Sequence, residues 1–305
     1  MAATVAVNLA LALASGSLAS QVWLQGRHSA WQAAVLAQGR GTRKAAFVLG
    51  LAGLLASAWF EAAAMAETPL LHSGPAVAAL LLRTHFGHAW LVGIAAWSLA
   101  CLAPQDGAQD GIRPIALATT LAALAIFVAT RSVVSHAAAG GDLGVDVAID
   151  WLHLALVSLW AGIVIAGARL VLPPQDATRQ ARADATCWVQ RMSSTATAAL
   201  LAIAATGLFK VWRALAPVSS ISGFMHSDYA HALAAKLGLI AVAVVLGGLN
   251  RFVVMPRLLP AWAGSRGVGA WRQRLLVILR LEAATLMLVL VTASLLSGTE
   301  PPDAS

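Results

Sequence analysis

The chain has 305 residues, of which 59% are hydrophobic and only 11% are charged, and its formal net charge is +7. A soluble domain of this length needs more charge to cover its surface, so the composition excludes an ordinary soluble protein and indicates one that lies in a lipid bilayer. The positive charge follows the topology described below, and no nucleic-acid partner is expected.

The apolar residues form separate blocks, each with at most one charged residue. In chain order they are 3–24, 45–65, 86–103, 114–130, 147–168, 192–209, 232–249 and 283–296. A helix needs about 20 residues to cross a bilayer, and backbone groups cannot stay unpaired in lipid. The blocks therefore predict an all-α polytopic membrane protein with about eight transmembrane helices. No Lys or Arg precedes the first block, which favours a retained helix over a signal peptide.

The lysines and arginines predict the orientation of these helices. With the N-terminus outside, 15 of the 20 basic residues fall in inner connections. The other five lie on the outer side: Arg83, Arg131, Lys210, Arg213 and Lys236. Both termini are then external, and Cys101 and Cys187 are expected on the inner side as free thiols.

A short internal repeat predicts two halves. Residues 84–90 (THFGHAW) align with residues 227–233 (SDYAHAL), and each segment stands between an outer loop and an apolar block. We expect a first four-helix half over 1–135 and a second over 136–305, parallel to each other because each contains an even number of helices.

Histidine is concentrated on the predicted outer side. Only His28 lies inside, and the outer set is His72, His85, His88, His136, His153, His226 and His231. Imidazole is the commonest metal ligand and binds copper, zinc and iron well. This placement predicts a metal site at the outer face.

Two groups of candidate ligands share a helical face. His85 and His88 are three residues apart at the start of the third span, a spacing that allows one metal to be chelated or simply two histidines at a helix start. Asp150 and His153 lie on one stripe of the fifth span, where the carboxylate either orients the ring or joins the ligand set. Aspartates at a helix N-terminus are also explained by the macrodipole, so His153 is the strongest single candidate.

Further candidates lie at the outer ends of two other spans. Glu61 and Met65 are one turn apart, and a thioether favours copper(I), although Met in an apolar helix usually only packs. His226 and His231 converge only if a helix begins between them.

Three other charged residues receive structural interpretations. Lys236 is expected to extend its amine outward to the interface. Arg251 and Glu282, near the inner ends of the last two spans, are expected to form an ion pair.

Several motifs together resemble the copper resistance D family of bacterial inner-membrane proteins. They are 61–65 (EAAAM), 84–90 (THFGHAW), 150–153 (DWLH) with 159–162 (LWAG), and 246–252 (LGGLNRF) with 256–258 (PRL). The resemblance implies eight helices, a role in copper homeostasis in which copper ion crosses the inner membrane, and a separate periplasmic copper-binding partner of the copper resistance C type. It also implies periplasmic termini under the predicted topology.

Two alternatives stay open from the sequence. Paired histidines from different helices also suit a b-type haem redox protein, and the outer histidines are equally compatible with a structural subunit in which they are incidental. Because no phosphate loop, zinc-protease motif or nucleophile elbow occurs, no enzymatic activity is expected.

Overall fold

The computed structural model describes residues 1–103, 113–174, 176–215, 227–264 and 268–296. The described residues contain helices and no strands. By length and composition, eight of the described helices are able to cross a membrane, which confirms the predicted fold class.

The described residues form ten α-helices. In chain order they are α1 (Ala2–Trp23), α2 (Ala30–Met65), α3 (Gly74–Arg83), α4 (His85–Leu102), α5 (Pro114–Ser132), α6 (Val145–Arg169), α7 (Arg179–Leu215), α8 (Asp228–Leu249), α9 (Met255–Gly264) and α10 (Val268–Leu296). Short 3₁₀ turns lie at Leu70–His72 and His136–Gly140. The side of the bundle on which α1 and α6 begin is called the outer side below, following the predicted topology.

Helices α2 and α7 are much longer than the apolar blocks that predicted them. With 36 and 37 residues they are roughly 55 Å long. The sequence also predicted inner loops around 25–44 and 173–190, but residues 30–44 and 179–190 continue these helices beyond the apolar blocks. A helix satisfies its own backbone in water as well as in lipid, so the apolar blocks locate the spans but not the helix ends.

The repeated segments begin two helices in the same way. Thr84 caps α4 by accepting a hydrogen bond from the Gly87 amide over 2.9 Å, and Ser227 caps α8 by accepting one from the Ala230 amide over 3.2 Å. A hydroxyl at this position satisfies a backbone donor that the first turn leaves unpaired. The division into halves at residue 135 itself stays a prediction.

Helices α1 and α6 cross at the centre of the bundle with their backbones in contact. A Cβ added to Gly162 would lie 2.7 Å from the Gly16 amide nitrogen and would overlap the carbonyl oxygen of Ala12. Small residues four apart, Ala12 with Gly16 on α1 and Ser158 with Gly162 on α6, allow this approach. Around this crossing, α2 packs on α1, α7 and α10 pack on α6, α4 packs on α5, and α8 packs on α10.

Helix α8 continues into α9 through a π-helical turn, Asn250–Val254. The Met255 amide bonds to the Asn250 carbonyl, five residues back. Pro256 follows and has no amide hydrogen, so the α-helical hydrogen-bond pattern is interrupted at this point.

Candidate functional site: a polar cluster between the outer halves of the helices

A group of polar side chains in the outer half of the bundle surrounds His153. We call it the outer polar cluster: Ser135, Asp150, His153, Thr206, Lys210 and Lys236. It joins three spanning helices, α6, α7 and α8, and the turn that follows α5. Ionisable side chains inside spans are costly and usually face a bundle interior, so such a cluster is a functional candidate.

His153 is half-buried, and its ring is held by a residue from the neighbouring helix. Its Nδ1 lies 2.8 Å from Thr206 Oγ1, and that hydroxyl donates to the Ala202 carbonyl over 2.8 Å. A hydroxyl has one proton, so an oxygen that donates to the backbone accepts from Nδ1–H of the ring. This arrangement leaves the Nε2 lone pair as the free coordinating atom of His153.

Asp150 does not hold the ring, although it lies one turn away. Its Oδ1 accepts a hydrogen bond from Lys210 Nζ, and its Oδ2 accepts one from Ser135 Oγ over 3.4 Å. Arg131, at the end of α5, is near enough to act on Asp150 electrostatically. The Asp150 carboxylate therefore interacts with cations. Thr206, and not Asp150, orients the His153 ring.

Lys236 lies inside the cluster. It is half-buried, and with Lys210 and Asp150 it is one of the charged groups that act on His153. The expected outward extension of its amine stays a prediction. Lys210 and Lys236 together with Arg131 outnumber the one carboxylate, so the surroundings of His153 are net positive.

Closer to the surface, Asp146 forms a paired contact with Arg213. Its two oxygens accept from Arg213 Nε over 2.8 Å and from Nη2 over 2.6 Å. This fork-to-fork geometry joins the start of α6 to the end of α7 above the cluster. The Asp146–Arg213 pair therefore marks the outer limit of the outer polar cluster.

The other predicted ligands lie at the outer helix ends and are exposed. His85 Nε2 lies 2.9 Å from Asp142 Oδ2, which joins the start of α4 to the loop before α6. His88 is exposed one turn further along α4, His231 is exposed in the first turn of α8, and Glu61 and Met65 are exposed at the end of α2. His226 lies outside the described residues, although α8 does begin between it and His231.

These residues do not form one enclosed metal site. In the parts of the chain that the structure describes, no three side chains of His, Cys, Asp or Glu lie together in a way that would hold a metal ion. The structure instead places one deep histidine, His153, below a set of separate exposed histidines.

Sequence reasoning missed the roles of Thr206, Lys210 and Ser135. Lys210 stood out only as one of few outer basic residues, and its position near the end of an apolar block was a usable signal. Thr206 gave none, because a threonine in a span usually bonds to its own helix, as Thr206 also does.

On the inner side, the two cysteines are free thiols, as expected. The expected ion pair between Arg251 and Glu282 is wrong, since Arg251 Nη1 donates instead to Ser193 Oγ over 2.8 Å. Arg27 forms a buried contact with Asp184 over 2.8 Å.

Comparison with known proteins shows that part of this chain is similar to one family. No curated protein and no solved structure matches the chain. Residues 186–296 match the family model described as Copper resistance protein D. The match contains most of α7 and all of α8 to α10, including the quoted motif at 246–252, whereas the motifs on α2, α4 and α6 precede it. Over residues 186–296, this eight-span membrane protein is therefore similar to the copper resistance D family.

Proposed function

We propose that the protein takes up copper at the outer side of a bacterial inner membrane and moves it across. The family, whose description is copper resistance, supports the choice of metal. The concentration of histidines at the outer helix ends supports the side at which copper arrives. In this proposal copper is cargo, and the protein is a transporter rather than an enzyme.

The observation that carries the proposal is the hydrogen bond from His153 to Thr206. It holds the ring inside the span and leaves Nε2 unprotonated, which is the state in which imidazole binds a metal. We therefore assign His153 as the ligand that receives copper below the surface.

Copper reaches His153 from the exposed ligands. His85 and His88 on α4 and His231 on α8 are accessible from outside, with Glu61 and Met65 at the neighbouring end of α2 and His226 just before α8. We propose that these groups bind copper weakly and in turn, because the described ones are not gathered around a single point. A separate periplasmic copper-binding protein of the copper resistance C type would deliver copper to them, next to the periplasmic termini.

Asp150 joins the site only if Lys210 releases it. The two side chains are in contact, so a copper ion that approaches His153 competes with Lys210 for the same carboxylate. Lys236 adds a further positive charge nearby, and this repulsion favours singly charged copper over the divalent ion.

Copper binding to the purified protein tests this assignment. Wild-type protein is expected to bind about one copper ion per chain with measurable affinity, and His153→Ala is expected to weaken binding at least tenfold. His28→Ala is the matched control, since His28 lies on the inner side, and it should bind like wild type. Equal affinity in His153→Ala and His28→Ala would refute the assignment.

The surplus of positive charge around His153 favours one alternative, a b-type haem protein. Haem carries carboxylates that Lys210, Lys236 and Arg131 would accommodate, and His153 Nε2 would serve as an axial ligand. An absorption spectrum of the purified protein separates the two functions, since a haem protein shows a Soret band and a copper transporter does not.

A further inference from the structure

A second polar site lies between α8 and α10, far from the outer polar cluster. Glu282 on α10 is only 4% exposed, among buried apolar neighbours that include Leu279, Ala283 and Leu286. Asn250, directly after α8, belongs to this second site and follows Lys236 by 14 residues. That separation corresponds to roughly 20 Å along the helix axis. A buried carboxyl group at this depth is not needed for packing, since Leu or Met would fill the same space.

The helix opposite makes room for this carboxyl group. A Cβ added to Gly247 would lie 3.1 Å from Glu282 Oε1, closer than an ordinary contact, and 3.7 Å from Oε2. Gly248, the next residue, faces open space. Gly247, and not Gly248, is therefore the glycine of α8 that lies against the carboxyl group.

Asn250 provides a second, independent sign of a ligand. It is 4% exposed, lies one turn from Gly247, and begins the π-helical turn. Its Oδ1 and Nδ2 are both buried, and neither has a hydrogen-bond partner in the described residues. A buried amide without a hydrogen-bond partner destabilises the folded state. This cost indicates that the Asn250 side chain binds a ligand in another state of the protein.

Charged groups from the surrounding helices do not neutralise Glu282. Arg251 is bonded to Ser193, Arg280 donates to the Ala168 carbonyl over 3.4 Å, and Arg257 stacks on Trp271. Arg169, at the inner end of α6, donates to Thr42. No ion pair to Glu282 occurs in the described residues. A carboxylate buried without a cation is so costly that the group holds a proton instead.

We propose that Glu282 and Asn250 form a proton-binding site, in which Glu282 carries a proton at neutral pH and releases it to the inner side as copper crosses. The O–H bond of the carboxyl group breaks, the proton leaves to inner water, and the carboxylate charge is balanced by the arriving copper cation. Asn250 provides the polar group through which the proton leaves, because it lies toward the inner side next to Arg251. The coupling to copper depends on the proposed function, whereas proton binding does not.

Infrared spectroscopy without copper tests proton binding. Purified protein in lipid nanodiscs at pH 7 is expected to show the carbonyl stretch of a protonated carboxyl group, and Glu282→Gln should lose it. Glu61→Gln, which changes an exposed carboxyl group, should keep it, and Asn250→Ala should shift its frequency. Identical spectra for wild type and Glu282→Gln would overturn the proposal, and size-exclusion profiles identify any variant that fails to fold.

Copper uptake into vesicles tests the coupling. A pH gradient should change the uptake rate of wild type several-fold and leave Glu282→Gln unaffected. An equal response in both proteins would overturn the coupling. If wild type moves no copper under any gradient, the proposed function fails, while the infrared result still decides whether Glu282 binds a proton.

Discussion

The crossing of α1 and α6 gives the sharpest stability prediction. Gly162→Ala adds one methyl group where the structure leaves 2.7 Å to the Gly16 amide nitrogen and less to the Ala12 carbonyl oxygen. Ordinary contact of a Cβ begins at 3.4 Å, so the two backbones must separate by about 0.7 Å at the nitrogen and by more at the oxygen. Neither obstacle is a flexible side chain that can move away.

The expected cost is at the upper end of the range for overpacked cores. Inserting a methyl group into a well-packed core costs roughly 1–3 kcal/mol. We expect a cost above the middle of that range, because backbone atoms move aside less easily than a side chain. Alanine also gains up to about 1 kcal/mol over glycine in a helix, which offsets part of the loss. We expect a net destabilisation of about 2 kcal/mol and a melting temperature lowered by roughly 3 °C.

Thermal unfolding of the purified protein in detergent measures this difference. Gly248→Ala is the matched control, because Gly248 is also helical and nothing lies within 4 Å of its added Cβ. That variant should melt at or slightly above the wild-type temperature. Equal melting temperatures for Gly162→Ala and Gly248→Ala would refute the close backbone contact between α1 and α6.

Two further substitutions test contacts on opposite sides of the membrane. Arg27→Ala should destabilise the protein by about 3 kcal/mol, because it leaves the fully buried Asp184 without its cation. Arg27→Lys should recover part of this loss. Equal stability of Arg27→Ala and wild type in chemical denaturation would contradict the prediction. The hydrogen bond to Asp184 also raises the pKa of Arg27, so Arg27 stays charged across the usual pH range. Thr206→Val should weaken copper binding about tenfold, because the His153 ring loses the hydrogen bond that fixes its tautomer. Thr285→Val is the control, since this exposed threonine bonds only to its own helix. Equal copper affinities of the two variants in isothermal titration would exclude the role of Thr206.

The spans themselves were predictable from the sequence because lipid imposes a simple rule on it. Each crossing needs an apolar stretch of a minimum length, and each stretch must be a helix. The same reasoning failed for the inner extensions of α2 and α7, since water allows a polar helix to continue wherever packing supports it. Helix starts with a capping hydroxyl, at Thr84 and Ser227, were detectable as a repeat because capping depends on local sequence alone.

The candidate site was predictable in part. His153 stood out because an ionisable residue in a span is rare, and its position one turn below Asp150 was correct. The partner of each of these residues was not predictable, because Thr206 and Lys210 lie more than 50 residues away on another helix. The same holds for Glu282, which the sequence paired with Arg251 and which the structure places opposite Gly247.

By itself, the sequence determined that this is an eight-span helical membrane protein, because this feature depends on composition and on position along one chain. The tertiary structure decided which faces meet. Rotation of each helix about its axis is set by close packing, such as the contact of Gly16 with Gly162, and a rotation of one residue turns a side chain by about 100°. For that reason only the folded bundle reveals that Lys236 is near enough to act on His153 electrostatically and that Glu282 lies buried beside a glycine.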